Sequence, residues 1–213
     1  MSEVKTEEEQ IEAFKTWWKK NGTSLVLAVA VGVGGYFGWQ AWQSSQENHL
    51  AEASSLYQSL TEASANIEQE ENQKTIRYLA EQLSDEYDDT GYALYGQLFV
   101  ARVAVQNGEY EAALEALQSI VSQTEDASLT TIANVRIARL QAELEQYDDA
   151  LATLDSVDAP AFAGQVQELR GDIMLAQGDR DGAREAYEAA AANLGEDAQS
   201  PLLRVKLKDL VSG

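Results

Sequence analysis

Polar and apolar positions divide this chain sharply. From Asn21 to Gln46 no side chain is charged, and residues 25–43 are mostly valine, leucine, alanine, glycine and aromatics. As a helix that segment would be roughly 28 Å long at about 1.5 Å per residue, close to a hydrocarbon core of about 30 Å. Tyr36, Trp39 and Trp42 gather toward one end, with Trp17 and Trp18 just before the other, where amphipathic rings suit a membrane interface. Gly32, Gly34, Gly35 and Gly38 would each weaken a helix in water by about 1 kcal/mol relative to alanine. Membrane helices tolerate glycine better because it lets a neighbour approach. The pattern predicts a single transmembrane helix over 25–43. Ahead of it, Ile11, Phe14 and Trp17 or Trp18 recur at helical spacing behind Glu7, Glu8, Glu9 and Glu12. Acids suit a helix N-terminus, so residues 1–24 read as a short amphipathic helix leading to the membrane surface.

Two rival readings remain for the span. A cleaved signal peptide has a shorter apolar core and small residues at its end, whereas this span ends Trp39-Gln40-Ala41-Trp42. A buried helix of a soluble domain would carry the glycine penalty. Within the span, Gly34 and Gly38 fit the small-xxx-small spacing of a helix–helix contact in lipid; ordinary glycine use in a membrane span gives the same spacing.

Residues 44–213 change period and repeat. Leu50, Ala53, Leu56, Tyr57 and Leu60 follow helical spacing, as do Ile76, Leu79, Ala80 and Leu83. Three stretches then align without gaps: ARVAVQNGEYEAALEAL from Ala101, ARLQAELEQYDDALATL from Ala138 and GDIMLAQGDRDGAREAY from Gly171. Each opens on a small residue. A turn position follows at Gly108, Glu145 or Gly178, then an alanine at Ala113, Ala150 or Ala183, then a large residue at Leu117, Leu154 or Tyr187. Helix–turn–helix units with a period near ~34 are the tetratricopeptide pattern. The small residues Ala101, Ala138 and Gly171 are expected to face the alanines where paired helices cross, drawing the axes toward the short end of about 8–10 Å. The large residue would fill the gap toward the next hairpin. Arg180 stands where Tyr110 and Tyr147 stand in the other units, so the third unit is expected to be a weaker or capping copy. Leu202, Val205, Leu207 and Leu210 predict a last helix after Pro201. The expected fold is all-α: one transmembrane helix, then a tetratricopeptide-like α-solenoid of helical hairpins. Solenoids of this kind hold peptides or protein segments on a concave surface. Tyr92 and Tyr95 would serve there in packing or in contact.

Charge fixes orientation and narrows the partners. The net charge is −21. Lys15, Lys19 and Lys20 precede the span and no Lys or Arg follows until Lys74. The positive-inside rule then keeps the N-terminus cytoplasmic and exports residues 44–213. That exported part carries a net of −20 and repels nucleic acid and anionic headgroups; no local basic patch is legible in the sequence. Cysteine is absent and His49 is the one histidine, which rules out thiolate and histidine-rich metal sites. Asp85, Glu86, Asp88 and Asp89 lack calcium-loop spacing. No catalytic motif, phosphate loop or cofactor signature is present, so no enzymatic activity, cofactor or metal is expected.

The lysine-flanked anchor ending in GYFGWQAW, with NVRIARLQAELEQYDDALATLD and RGDIMLAQGDRDGAREAYEAA, resembles the YfgM family over nearly the whole chain. That resemblance implies a bacterial inner-membrane protein, single-pass, with a periplasmic tetratricopeptide-like domain. It implies an ancillary subunit of a SecYEG-type translocon that pairs with PpiD, a membrane-anchored periplasmic chaperone, and helps newly exported polypeptides. A scaffold or co-chaperone is the expected role, with an envelope assembly or stress-response receptor on the same repeats as the alternative.

Overall fold

The computed structural model describes residues 7–194 and 201–211. Helices are joined by short turns, and no strand occurs among the described residues. The chain divides into two compact units, at residues 1–52 and 53–213.

Helix α1 runs from Glu7 to Ser64 without interruption, passing through both expected boundaries, at 24/25 and 43/44. Phe14 stacks on both Trp17 and Trp18, with ring centroids 6.3 Å apart for Phe14–Trp17 and 6.1 Å for Phe14–Trp18. Along the apolar segment the large side chains are open: Leu27 is 66% and Val31 68% exposed. Within this chain these side chains find no protein interior. Among the described residues, α1 is the one helix long and apolar enough to cross a membrane.

The second unit opens on the tail of α1. Ala53 and Leu60 are fully buried with Ile76, Ala80 and Leu83 of α2, Glu70–Glu86. Three hairpins follow. They are α3 with α4 (Gly91–Gln106, Tyr110–Gln123), α5 with α6 (Ala127–Glu143, Tyr147–Asp155) and α7 with α8 (Ala163–Ala176, Arg180–Leu194). A short 3₁₀ turn at Pro160–Phe162 separates α6 from α7, proline being suited to the first position of a helical turn. Helix α9, Pro201–Val211, closes the described chain.

Each hairpin reverses on one left-handed residue. Gly108, Glu145 and Gly178 have φ of 74°, 60° and 87°. In each case the following N–H reaches back five residues: Glu109 to the Ala104 carbonyl at 2.8 Å, Gln146 to Gln141 at 2.8 Å and Asp179 to Met174 at 2.9 Å. The left-handed residue itself donates three residues back, for example Gly178 to Leu175 at 3.0 Å. This paired pattern is the Schellman motif, which satisfies the last carbonyls of a helix. The next helix starts within two residues of the left-handed one, and in the third turn Asp179 accepts the Gly182 N–H at 2.9 Å, an N-cap. The third hairpin therefore closes like the other two. Arg180 is exposed at the start of α8, and α9 packs beyond that hairpin through the fully buried Leu203. The turn geometry does not depend on the side chain at position 180. The phase of α9 also differs from expectation: Leu203, Leu207 and Leu210 face the core while Leu202 and Val205 are exposed.

Glutamate at position 145 holds a backbone region that costs an L-residue about 1–2 kcal/mol. Glu145→Gly should raise the stability of the full chain in detergent by roughly 0.5–1 kcal/mol, the relief being partly offset by a freer unfolded state. Gly108→Ala and Gly178→Ala should each lower it by about 1–2 kcal/mol. Thermal unfolding followed by circular dichroism measures both signs; a destabilised Glu145→Gly chain would contradict the account.

Candidate protein-binding site

Successive hairpins meet through small residues. Ala101, Ala113, Ala138, Ala150 and Ala183 are buried, four of them fully, and Gly171 lies inside α7. Ala101 and Ala113 share a core with Leu117, Ile120 and Leu140, while Ala138 and Ala150 share another with Leu154, Val166 and Ile173. At Gly171 the space belongs to a different residue than the expected alanine. A Cβ there would sit 2.5 Å from Cδ1 and Cε1 of Tyr187. The tyrosine ring thus fills the crossing of its own hairpin, which explains why glycine stands where the other units have alanine. Gly96 plays a similar part in α3, where a Cβ would reach Ala80 of α2 at 3.4 Å; its spacing falls outside the three-unit alignment, so the sequence does not reveal it.

The Tyr187 ring is fully buried and its hydroxyl donates to Asp172 at 2.7 Å. Lys206 of α9 reaches Asp172 at 2.7 Å and Glu168 at 3.0 Å, with its ammonium 5.4 Å from the Tyr187 ring centre. Burial of Lys206 disfavours its charge, but the hydrogen bonds to Asp172 and Glu168 and their negative charges outweigh that, so its pKa is raised. The Tyr187 phenol is also pushed up, first by burial and then by Asp172 and Glu168.

A groove of about 260 Å³ lies between α3 and α5. Val105, Leu117 and Leu140 line it with Ala101, and three arginines, Arg102, Arg136 and Arg139, surround it. Among the described residues these three have no ion pair or hydrogen-bonded carboxylate. Arg77 and Arg170 elsewhere do: Arg77 meets Glu109 at 2.6 Å and Arg170 meets Asp155 at 2.6 Å. Partial burial, then the charges of Arg139 and Arg102, hold the Arg136 guanidinium below its usual range. A local basic patch therefore exists, contrary to the reading of the sequence. Net charge conceals it because Arg136 and Arg139 lie 34 and 37 residues beyond Arg102. The repeat register does contain the signal: Arg102 and Arg139 each follow the small residue that opens their unit, and the third unit has Asp172 there.

The tyrosines near the start of the repeats are packed together. Tyr57 lies 5.4 Å from Tyr92, 6.0 Å from Tyr95 and 6.0 Å from Phe99 by ring centroids. Tyr95 keeps 40% of its surface exposed. In α1, a Cβ on Gly32, Gly34, Gly35 or Gly38 would meet nothing within 4 Å. No group of three or more His, Cys, Asp or Glu arranged to hold a metal occurs among the described residues.

A family model described as a tetratricopeptide repeat-like domain matches residues 15–212. An ancillary SecYEG translocon subunit of Haemophilus influenzae is 34% identical over 204 residues, covering 96% of this chain and 97% of that protein. The Escherichia coli protein of the same name is 34% identical over 210 residues, 99% of both chains. The chain belongs to the YfgM family of ancillary SecYEG translocon subunits. A more distant member from Neisseria gonorrhoeae is 25% identical over 205 residues, 96% of this chain and 97% of its own. Among solved structures, MamA 41-end from Desulfovibrio magneticus RS-1 superposes with a TM-score of 0.57 at 15% identity, covering 75% of this chain and 84% of its own. That likeness concerns the fold alone.

Two outcomes follow from the Gly171–Tyr187–Lys206 arrangement. Gly171→Ala forces a methyl group against a ring tethered at its hydroxyl, and should destabilise the chain by about 1–3 kcal/mol, read as a lowered urea midpoint. Both Lys206 and Tyr187 hold their protons more tightly when folded. Their stabilisation is complete below unfolded values of about 10 and is lost as pH rises through the folded values. Thermal stability should fall from about pH 10 upward, and less steeply in Tyr187→Phe/Lys206→Met; an unchanged slope would exclude these two groups as the cause.

Proposed function

We propose that this chain is a membrane-tethered, non-enzymatic protein-binding scaffold of the Sec translocon. In this reading the lysine-flanked N-terminus stays in the cytoplasm and residues 25–43 cross the inner membrane. The repeat domain lies in the periplasm, where it works beside a membrane-anchored chaperone of the PpiD type on newly exported polypeptides. The observation that carries the reading is the end-to-end match to proteins named as ancillary SecYEG translocon subunits, which spans the apolar segment and the repeats together. Two physical features support it. The apolar side chains of α1 are open to whatever surrounds them, and lipid is the solvent that suits them. The glycines at 34 and 38 leave a smooth strip on that helix, and close packing at small residues is a main source of helix association where lipid removes the hydrophobic drive.

The test is purification of the intact protein from membranes in mild detergent, with photocrosslinkers placed beside Gly34 and Gly38. SecY, SecE or SecG and a periplasmic chaperone should be recovered. Gly34→Leu/Gly38→Leu should leave insertion intact and lower recovery of the membrane partner by roughly tenfold, the effect of losing about 1–2 kcal/mol of helix contact. Protease added to spheroplasts should remove the repeat domain. Recovery of no translocon subunit, or a protected repeat domain, would count against the function and the orientation respectively.

A further inference from the structure

We propose that the groove between α3 and α5 binds an acidic segment of a partner polypeptide. Arg102, Arg136 and Arg139 would take its carboxylates, while Val105, Leu117 and Leu140 would take an apolar side chain set between them. The proposal rests on the protein-binding reading above and adds the chemistry of the partner.

Like charge without a counter-ion is the first argument. Three guanidiniums share one small groove, and no carboxylate of the described chain is paired with them although acids outnumber bases 36 to 15. Placing cations together is unfavourable unless an anion completes the set. The molecule itself supplies the contrast. At the equivalent register in the third unit the residue is Asp172, and Lys206 of the following helix pairs with it and with Glu168. The α7–α9 cluster thus contains its own counter-ion, whereas the three arginines at the α3–α5 groove have none among the described residues.

The chemistry of the lining selects among anions. A guanidinium fork matches a carboxylate with two parallel hydrogen bonds. Phosphate would satisfy the arginines equally but leaves Val105, Leu117 and Leu140 facing a polar ligand. Nucleic acid and anionic bilayers are long arrays of charge, and the net −20 of residues 44–213 repels them beyond the groove. A short peptide with two or three carboxylates about a leucine or phenylalanine meets both demands. The volume of about 260 Å³ holds one or two side chains of such a segment rather than a folded surface.

Full-length protein in detergent micelles can be titrated against short fluorescein-labelled peptides that share their leucines and differ only in carrying Glu, Gln or Lys between them. The Glu peptide should bind, by fluorescence anisotropy, and bind more weakly as salt rises. Arg102→Gln, Arg136→Gln and Arg139→Gln, all at exposed positions, should each weaken it by roughly tenfold. Arg77→Gln, whose partner is Glu109, should leave binding unchanged. Equal binding of the Gln peptide, indifference to all three arginine substitutions, or displacement by millimolar inorganic phosphate would overturn the proposal. So would dimers in sedimentation that the arginine substitutions abolish, which would make the occupant a second copy. Recovery of translocon subunits from the same preparation separates the two levels: if they are recovered while the Glu peptide does not bind, this inference fails and the scaffold reading stands.

Discussion

Everything in the repeat domain depends on where the chain turns left-handed. Gly108, Glu145 and Gly178 each end one helix and allow the next to begin within two residues. So short a reversal leaves little freedom in register: positions seven before the turn and five after it must lie at the crossing. That is why Ala101 with Ala113, and Ala138 with Ala150, are buried together in their respective cores. The same constraint puts the residue after each opening small residue at a fixed place on the first helix of its hairpin. The arginine groove is a consequence, since Arg102 and Arg139 occupy one register in two neighbouring units.

The turns, the small residues and the helices were legible because each follows from local spacing. A left-handed residue, a small residue and a helical period leave marks within seven or eight positions of one another. Glu145 was readable as a turn despite lacking glycine because the repeat alignment placed it there. What escaped depends on distant parts of the chain. Gly171 accommodates Tyr187, sixteen residues on, and only the crossing geometry shows that the ring rather than Ala183 fills the space. The inward face of α9 is Leu203, Leu207 and Leu210 rather than the set containing Leu202 and Val205. A short helix with leucines on several faces does not itself specify what it packs against. Gly96 lies outside the repeat alignment, so its close approach to Ala80 had no local signature.

The basic groove escaped for an electrostatic reason. Charge counts average over the chain, while a bound carboxylate senses groups within a few ångströms. Salt screens exposed charges beyond about 8–10 Å, so a distant acid counts fully in the net charge and little at the groove. The acidic surface and the arginine groove then act on different length scales. The first keeps extended polyanions away; the second rewards a short anion that can enter. A surface of mixed sign would offer less discrimination of this kind.

The third unit shows that the same scaffold accommodates either sign at this register. Asp172 draws Lys206 against the Tyr187 ring, and α9 is held there by an ion pair, by the ammonium lying over that ring and by the burial of Leu203. Half-buried ion pairs contribute little unless their remaining hydrogen-bonding capacity is met. Here Asp172 accepts from both Tyr187 and Lys206, and Lys206 also reaches Glu168. The contact therefore fixes the phase of α9 on the third hairpin more than it adds stability. Exchanging aspartate for arginine at one register turns a face that secures the chain's own next helix into one whose charge the chain does not balance. In a solenoid whose units share one backbone plan, that exchange is enough to separate a self-docking surface from one left for a partner.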